Sequence, residues 1–152
     1  MNRNLSLLAL LVLVATSFRP PGSATAHLSG KSESGKTRFA AEIQDIDGLL
    51  AKAELTVENN KLLFTDEDNV FVIFDPGKKV LTLYFEGKAN SQFPNGRFLR
   101  VWALPESFKT ITHNSENQEY EFRARIEGTE PRKGKGLQIP QVELICRLSY
   151  EI

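Results

Sequence analysis

The sequence has little of the material from which catalytic and metal centres are built. It contains one cysteine, Cys146, so no disulfide can form within the chain. Its two histidines are too few for a zinc site made of three. The Gly-x-Ser-x-Gly pattern of a nucleophile elbow is absent. These shortages favour a protein that is not an enzyme, and its fold must rest on an apolar core.

An excess of charge of one sign is also missing. The chain has 19 basic and 19 acidic residues, and residues 1–26 contain two of the arginines and no acid. Without that segment the net charge is −2. Such a balance creates no long-range field that would attract nucleic acid or an anionic membrane. The sequence therefore predicts no nucleic-acid partner.

Residues 1–26 predict a secretory signal peptide. Arg3 supplies a positive charge, and the apolar run over residues 5–18 is shorter than the roughly 20 residues that span a bilayer. Ala24, Thr25 and Ala26 form a small-x-small site at which a signal peptidase cuts. We expect a secreted or periplasmic protein that has no transmembrane segment after cleavage. An uncleaved N-terminal anchor is the alternative.

Beyond this segment the hydrophobic pattern has a period of two, which is typical of strands that bury one face. Residues 27–36 lack the period and are rich in Ser, Gly and Lys, so they predict a flexible leader. Residues 37–152 predict a single all-β domain, an antiparallel β-sandwich of about eight to ten strands, with a small β-barrel as the alternative. Turn residues at 58–60 and 75–78 separate two of the strand pairs.

Two of the apolar segments lack an alternating polar face. Residues 70–74 and 80–85 are apolar on both sides, which predicts central strands covered on both faces. Cys146 shares a face with Leu144 and Leu148 in the last strand, so we expect a buried and unreactive thiol.

The strand over residues 98–104 suggests a binding surface. If its odd-numbered residues pack inward, the other face exposes a stripe that Tyr84 on a neighbouring strand would extend: Phe98, Arg100 and Trp102. Aromatic rings with a guanidinium form platforms for sugar rings, peptides or partner proteins. In the alternative interpretation Trp102 belongs to the core and Arg100 reaches from an edge.

The connection over residues 128–141 is glycine-rich and basic, with Arg132, Lys133 and Lys135. A glycine-rich backbone with lysine can hold an anion, so this loop is a second candidate ligand site. It is not a P-loop, because the required spacing is absent. The alternative is a mobile hairpin connection.

Two acidic clusters are candidate calcium ligands: Asp45 with Asp47, and Asp66 with Asp68. The first cluster does not fit an EF-hand loop, because Ile43 would occupy the first ligand position. Aspartates also favour turns and solvated loops without any metal. Apart from this calcium alternative, the sequence predicts no cofactor.

These features predict an exported, non-enzymatic binding or interaction module, whose partner is a protein, an envelope component or a carbohydrate. One alternative is a small-molecule or lipid carrier with a cavity between its apolar strands. The least supported alternative is a hydrolase that uses the four aspartates as its carboxylates.

Overall fold

The computed structural model describes residues 25–44, 49–65, 67–88, 96–130 and 137–151, and these residues are almost all in antiparallel strands. The ten strands are β1 (Thr25–Lys31), β2 (Thr37–Gln44), β3 (Leu49–Val57), β4 (Asn60–Thr65), β5 (Asn69–Asp75), β6 (Val80–Gly87), β7 (Arg97–Ala103), β8 (Lys109–His113), β9 (Asn117–Glu130) and β10 (Leu137–Glu151). The predicted all-β fold is confirmed. Within the described ranges no helix could cross a membrane, since the helical structure there is a three-residue 3₁₀ turn at Pro105–Ser107.

All the strands belong to one sheet, which curls into a half-barrel. The strand order is β4-β3-β2-β1-β10-β9-β7-β6-β5, and β8 pairs with the first part of β9. Each neighbour in this order pairs antiparallel. The connections at 58–59 and 76–79 are the tight turns predicted from the sequence.

The sheet stays open between β4 and β5 for a topological reason. An even number of antiparallel steps separates these two edge strands, so they run in the same sense. A pair formed between them would be parallel, and a parallel connection needs roughly a dozen residues or more. The link between β4 and β5 consists of residues 66–68. The chain therefore crosses the gap without closing the barrel.

An arginine from β7 spans this gap on the inner side. Arg97 Nη2 lies 3.2 Å from Asp68 Oδ2, and both side chains are largely buried. The guanidinium carbon of Arg97 also lies 4.5 Å from the ring centroid of Phe64 on β4. The backbone N–H of Thr65 donates to Asp68 Oδ2 at 3.0 Å, which fixes the turn that carries the carboxylate. Side-chain contacts of Arg97 thus join β7 to β4 and to the turn that leads into β5.

The inward side chains of both halves of the sheet form one core. Phe85 on β6 contacts Phe64 on β4 and Phe39 on β2, with ring centroids 5.3 and 6.3 Å apart. Because the two halves share these contacts, the architecture combines the facing layers of a sandwich with the continuous sheet of a barrel. The largest fully buried side chains are Phe64, Phe85, Phe122, Leu28, Leu55, Leu62, Leu81, Leu83, Leu99, Ile126, Leu144 and Leu148.

The structure corrects the prediction of a flexible leader over residues 27–36. Residues 27–31 belong to β1, which pairs with β2 on one side and β10 on the other, and Leu28 is buried. The polar residues that follow make a turn, in which Ser32 Oγ accepts a hydrogen bond from the N–H of Thr37 at 3.1 Å. The Ser- and Gly-rich composition marks this hairpin turn and the exposed face of β1. Thr25 and Ala26, which precede the predicted cleavage site, also lie in β1.

The structure also corrects the prediction that residues 70–74 and 80–85 are central strands covered on both faces. β5 is an edge strand, and its outward Phe71 and Ile73 are 58% and 43% exposed. The outward Thr82 and Tyr84 of β6 are half-buried. These strands are apolar on both sides because their outer face carries aromatic side chains, and no second layer of the described residues covers it.

Candidate binding surface on the outer sheet face

The alternation of β7 separates its side chains into two sets. Leu99 and Val101 are fully buried in the core. Phe98, Arg100 and Trp102 lie on the opposite, outer face, because successive side chains of a strand point to opposite sides. The structure therefore places the predicted stripe on the solvent side of the sheet.

The strand register brings aromatic residues of β5 and β6 beside this stripe. Phe71 is the cross-strand partner of Tyr84, and Tyr84 is the partner of Arg100. The rings of Tyr84 and Phe98 stack with an interplanar angle of 22° and centroids 6.3 Å apart. We call Phe71, Tyr84, Phe98, Arg100 and Trp102 the aromatic patch.

Arg100 is the cationic centre of the aromatic patch. Its guanidinium carbon lies 4.5 Å from the ring centroid of Trp102, which is a cation–π contact. Its Nη1 lies 3.7 Å from Glu127 Oε1 on β9, and about half of the arginine side chain is exposed. A guanidinium carries five N–H donors in a planar fork. The patch can thus stack against a ring or an apolar group and donate hydrogen bonds beside it.

The sequence reasoning missed the contribution of Phe71 and its neighbour Ile73. The turn at residues 75–78 could have revealed their position, because a tight turn fixes the register of the hairpin that it connects. Pairing outward from that turn places Phe71 opposite Tyr84 and Ile73 opposite Thr82. The two residues lie on the outer face and widen the apolar surface toward the sheet edge.

Of the other predicted site residues, the structure describes Asp68 alone. Arg132, Lys133 and Lys135 lie outside the described residues, as do Asp45, Asp47 and Asp66. Asp68 is described, and it pairs with Arg97 across the sheet gap. Within the described ranges, no group of three or more His, Cys, Asp or Glu side chains is arranged to hold a metal ion.

Cys146 has the buried position expected from its strand pattern. Its side chain is 1% exposed, and burial raises the pKa of the thiol to about 12. The backbone of Gly30 packs directly against it, since a Cβ on that glycine would lie 2.7 Å from Cys146 Sγ. The thiol is therefore a packing group of the core.

His113, at the end of β8, lies in a polar cluster beside the first residues of β9. Its Nδ1 is 3.3 Å from the hydroxyl of Tyr120, which in turn donates to Gln118 Oε1 at 2.8 Å. The hydroxyl of Tyr150 also donates to Gln118 Oε1. These contacts give His113 a tyrosine partner in place of the serine or carboxylate of a catalytic triad.

A shallow groove of about 290 Å³ lies on the outer face over β10, β1, β2 and β3. Its lining combines small side chains such as Ser29 and Ala40 with the longer, charged Glu42, Lys52 and Arg147. Phenylalanine, tyrosine and tryptophan are absent from its described lining. Its charged lining contrasts with the aromatic patch.

The chain matches no protein-family model, no curated protein and no solved structure in three comparisons. What distinguishes the aromatic patch is its geometry. Tyr84, Phe98, Arg100 and Trp102 occupy outward positions on β6 and β7. The inward neighbours of these residues are fully buried: Leu83, Phe85, Leu99 and Val101.

Proposed function

We propose that the chain is an exported, non-enzymatic binding module and that the aromatic patch contacts its ligand. The observation that carries this proposal is the placement of three aromatic rings and Arg100 on the outer face of β6 and β7. A contiguous apolar patch that is exposed on a protein surface commonly marks a site at which a partner or ligand binds. A rigid sheet also holds the rings in place, so that binding costs little conformational entropy.

The chemistry of the patch suits a ligand with apolar or ring surfaces beside hydrogen-bond acceptors. Tyrosine, tryptophan and arginine dominate binding energy at protein interfaces, and aromatic rings also stack on sugars. Protein, envelope component and carbohydrate are the partner classes that we propose.

Export is the second part of the proposal, and it is supported by the N-terminal pattern. Cleavage after Ala26 would make His27 the first residue and leave most of β1 in the sheet. N-terminal mass spectrometry of the protein from a native host should give a chain that begins at His27. A chain that retains residues 1–26 in the cytoplasm would contradict this part.

A carrier function has less support from the structure. The core that a carried ligand would have to enter is occupied by the contacting rings of Phe39, Phe64 and Phe85. A carboxylate-based hydrolase has less support still, since Asp68 is held by Arg97 and by the Thr65 N–H.

Binding screens with matched variants test the proposed surface. The wild-type domain is applied to a glycan array and to purified envelope proteins, and each hit is measured again with Trp102→Ala and Arg100→Ala. We expect each substitution to weaken binding about ten-fold or more, as truncation of a central contact residue does. Ile145→Ala removes an exposed apolar side chain from the outer face of β10 and should leave binding unchanged.

Thermal unfolding of the same variants separates binding from folding. Trp102 is half-buried, so Trp102→Ala should lower the free energy of unfolding by about 1 kcal/mol. If Trp102→Ala and Arg100→Ala both unfold the domain, the tryptophan is a core residue and the proposed surface is wrong. Equal weakening by Ile145→Ala would also contradict it.

A further inference from the structure

β5 has the properties of an unprotected sheet edge. Among the described residues β6 is its strand partner on one side, and no strand pairs with its other side. Natural edge strands are commonly protected by lysine, proline or a bulge. The sequence of β5, Asn-Val-Phe-Val-Ile-Phe-Asp, contains neither residue, and its pairing with β6 is regular throughout. Its free backbone groups can therefore accept another strand.

The core beneath β5 is incomplete. The inward residues of the neighbouring β6, namely Leu81, Leu83 and Phe85, are at most 1% exposed. The inward residues of β5 pack against the same core but remain only half-buried: Val70, Val72 and Phe74. The outward Phe71 and Ile73 are exposed as well. A further strand placed along β5 would cover apolar surface on both faces at once.

We propose that two copies of this chain associate by antiparallel pairing of β5 with β5. The strand is complementary to itself in the register centred on Val72. Phe71 of each copy then lies opposite Ile73 of the other, and Asn69 lies opposite Asp75. The first pair is apolar, and in the second an amide can donate to a carboxylate. Two-fold symmetry repeats each pair, as in the commonest type of homodimer.

The direction of the two edge strands selects this arrangement. β4 and β5 run in the same sense, so a sheet extended by placing β4 of a second copy beside β5 would contain a parallel pair. Repetition of that contact would also give an open filament, whereas a two-fold contact is closed. The remaining antiparallel choice is β4 with β4. That edge carries Lys61, whose Nζ lies 2.8 Å from Glu54 Oε2, and an edge lysine opposes pairing.

The inference does not depend on ligand binding by the aromatic patch. In the proposed dimer the sheets become continuous through β5, and the two patches come to lie on one outer surface. Loss of dimerisation and loss of ligand binding are separate measurements, so either proposal can fail while the other holds.

Sedimentation velocity of the cleaved domain tests the association. The concentration series runs from about 1 μM to about 1 mM, the range in which a small strand-to-strand contact dissociates. We expect a monomer–dimer equilibrium in the wild type. Ile73→Lys should raise the dimer dissociation constant about ten-fold or more, because it places a charge in the apolar centre of the contact. Leu63→Lys, at a similarly exposed position on β4, should leave the constant unchanged.

Cross-linking tests the register itself. Ile73→Cys places the two thiols at diagonal positions on the outer face of the proposed dimer, roughly 7–8 Å apart, so a short bismaleimide should link two copies. Leu63→Cys is the matched control and should give no linked dimer, and the buried Cys146 should not react in either variant. A wild type that stays monomeric over the whole series overturns the proposal. So does equal weakening by Ile73→Lys and Leu63→Lys, or equal cross-linking of the two cysteine variants.

Discussion

The outer face over β5, β6 and β7 differs in composition from the outer face over β9 and β10. The first region carries the aromatic patch. In the second, outward charges alternate in sign and pair across the strands: Arg123 Nη1 lies 3.0 Å from Glu143 Oε1, and Arg147 donates to Glu119. Beneath both regions the inward layer is the same in kind, with Leu99 under the first and Leu144 under the second fully buried.

Folding constrains the inward face of the sheet in both regions. Burial against the core favours apolar residues at inward positions, and apart from Arg97 at the start of β7 the buried inward side chains of both regions are apolar. The outer positions are not needed for the core, so their composition is free to differ. Charged pairs keep the β9–β10 surface hydrated, whereas the aromatic patch leaves apolar area in water that a partner can cover.

The largest effects are expected from the inward layer of both regions. Phe85→Ala should lower the free energy of unfolding by about 3–5 kcal/mol and Leu144→Ala by about 2–5 kcal/mol, because each leaves a cavity in the core. Their outward neighbours serve as controls: Tyr84→Ala and Ile145→Ala should cost about 1 kcal/mol or less. Urea denaturation measures all four. A Tyr84→Ala loss as large as that of Phe85→Ala would mean that the aromatic patch is a second core.

A pH-dependent effect is expected from the inward layer of β10. The folded protein keeps the proton of Cys146 up to a pKa of about 12, whereas an unfolded thiol loses its proton near pH 8.5. The stabilisation is therefore fully present below about pH 8.5 and is lost as the pH rises, by about 1.4 kcal/mol per pH unit.

Urea denaturation between pH 8 and pH 10 measures this dependence, with Cys146→Ala as the control that lacks the thiol. The slope of the unfolding free energy against pH should be smaller in the variant. Equal slopes would show that Cys146 does not titrate differently in the folded and unfolded states.

The smallest effect is expected from the outer charges of β9 and β10. A double-mutant cycle on Arg123 and Glu143 should give a coupling of about 0.2–1 kcal/mol, because both side chains are well exposed. Added salt should reduce the coupling, since exposed charges are screened. A large coupling that does not change with added salt would contradict the exposed position of this ion pair.

Part of the candidate surface could be predicted from the sequence. The alternation of residues 98–104 offered two faces, and it grouped Phe98, Arg100 and Trp102 together on one of them. It could not say which face is buried, because both faces carry large apolar side chains and the answer depends on the neighbouring strands. Phe71 was assigned to a covered strand for the same reason, and its exposure follows from the position of β5 at the sheet edge.

The prediction failed for β1, whose pattern is too weak to stand alone. Residues 27–31 contain a single buried apolar side chain, Leu28, and gain their strand conformation from pairing with β2 and β10. The hydrogen bonds to β10, which lies more than a hundred residues away in the sequence, leave no local signal. By contrast, β9 and β10 were predictable, because each repeats its apolar positions over many residues.

The sequence by itself determined the class of the fold, the inward faces of the long strands and the burial of Cys146, because side chains in a strand alternate with a fixed period of two. Only the tertiary structure decided that the sheet curls into a half-barrel with β4 and β5 as its edges. That outcome depends on how strands far apart in the chain pair, and it determines which apolar side chains remain in contact with water.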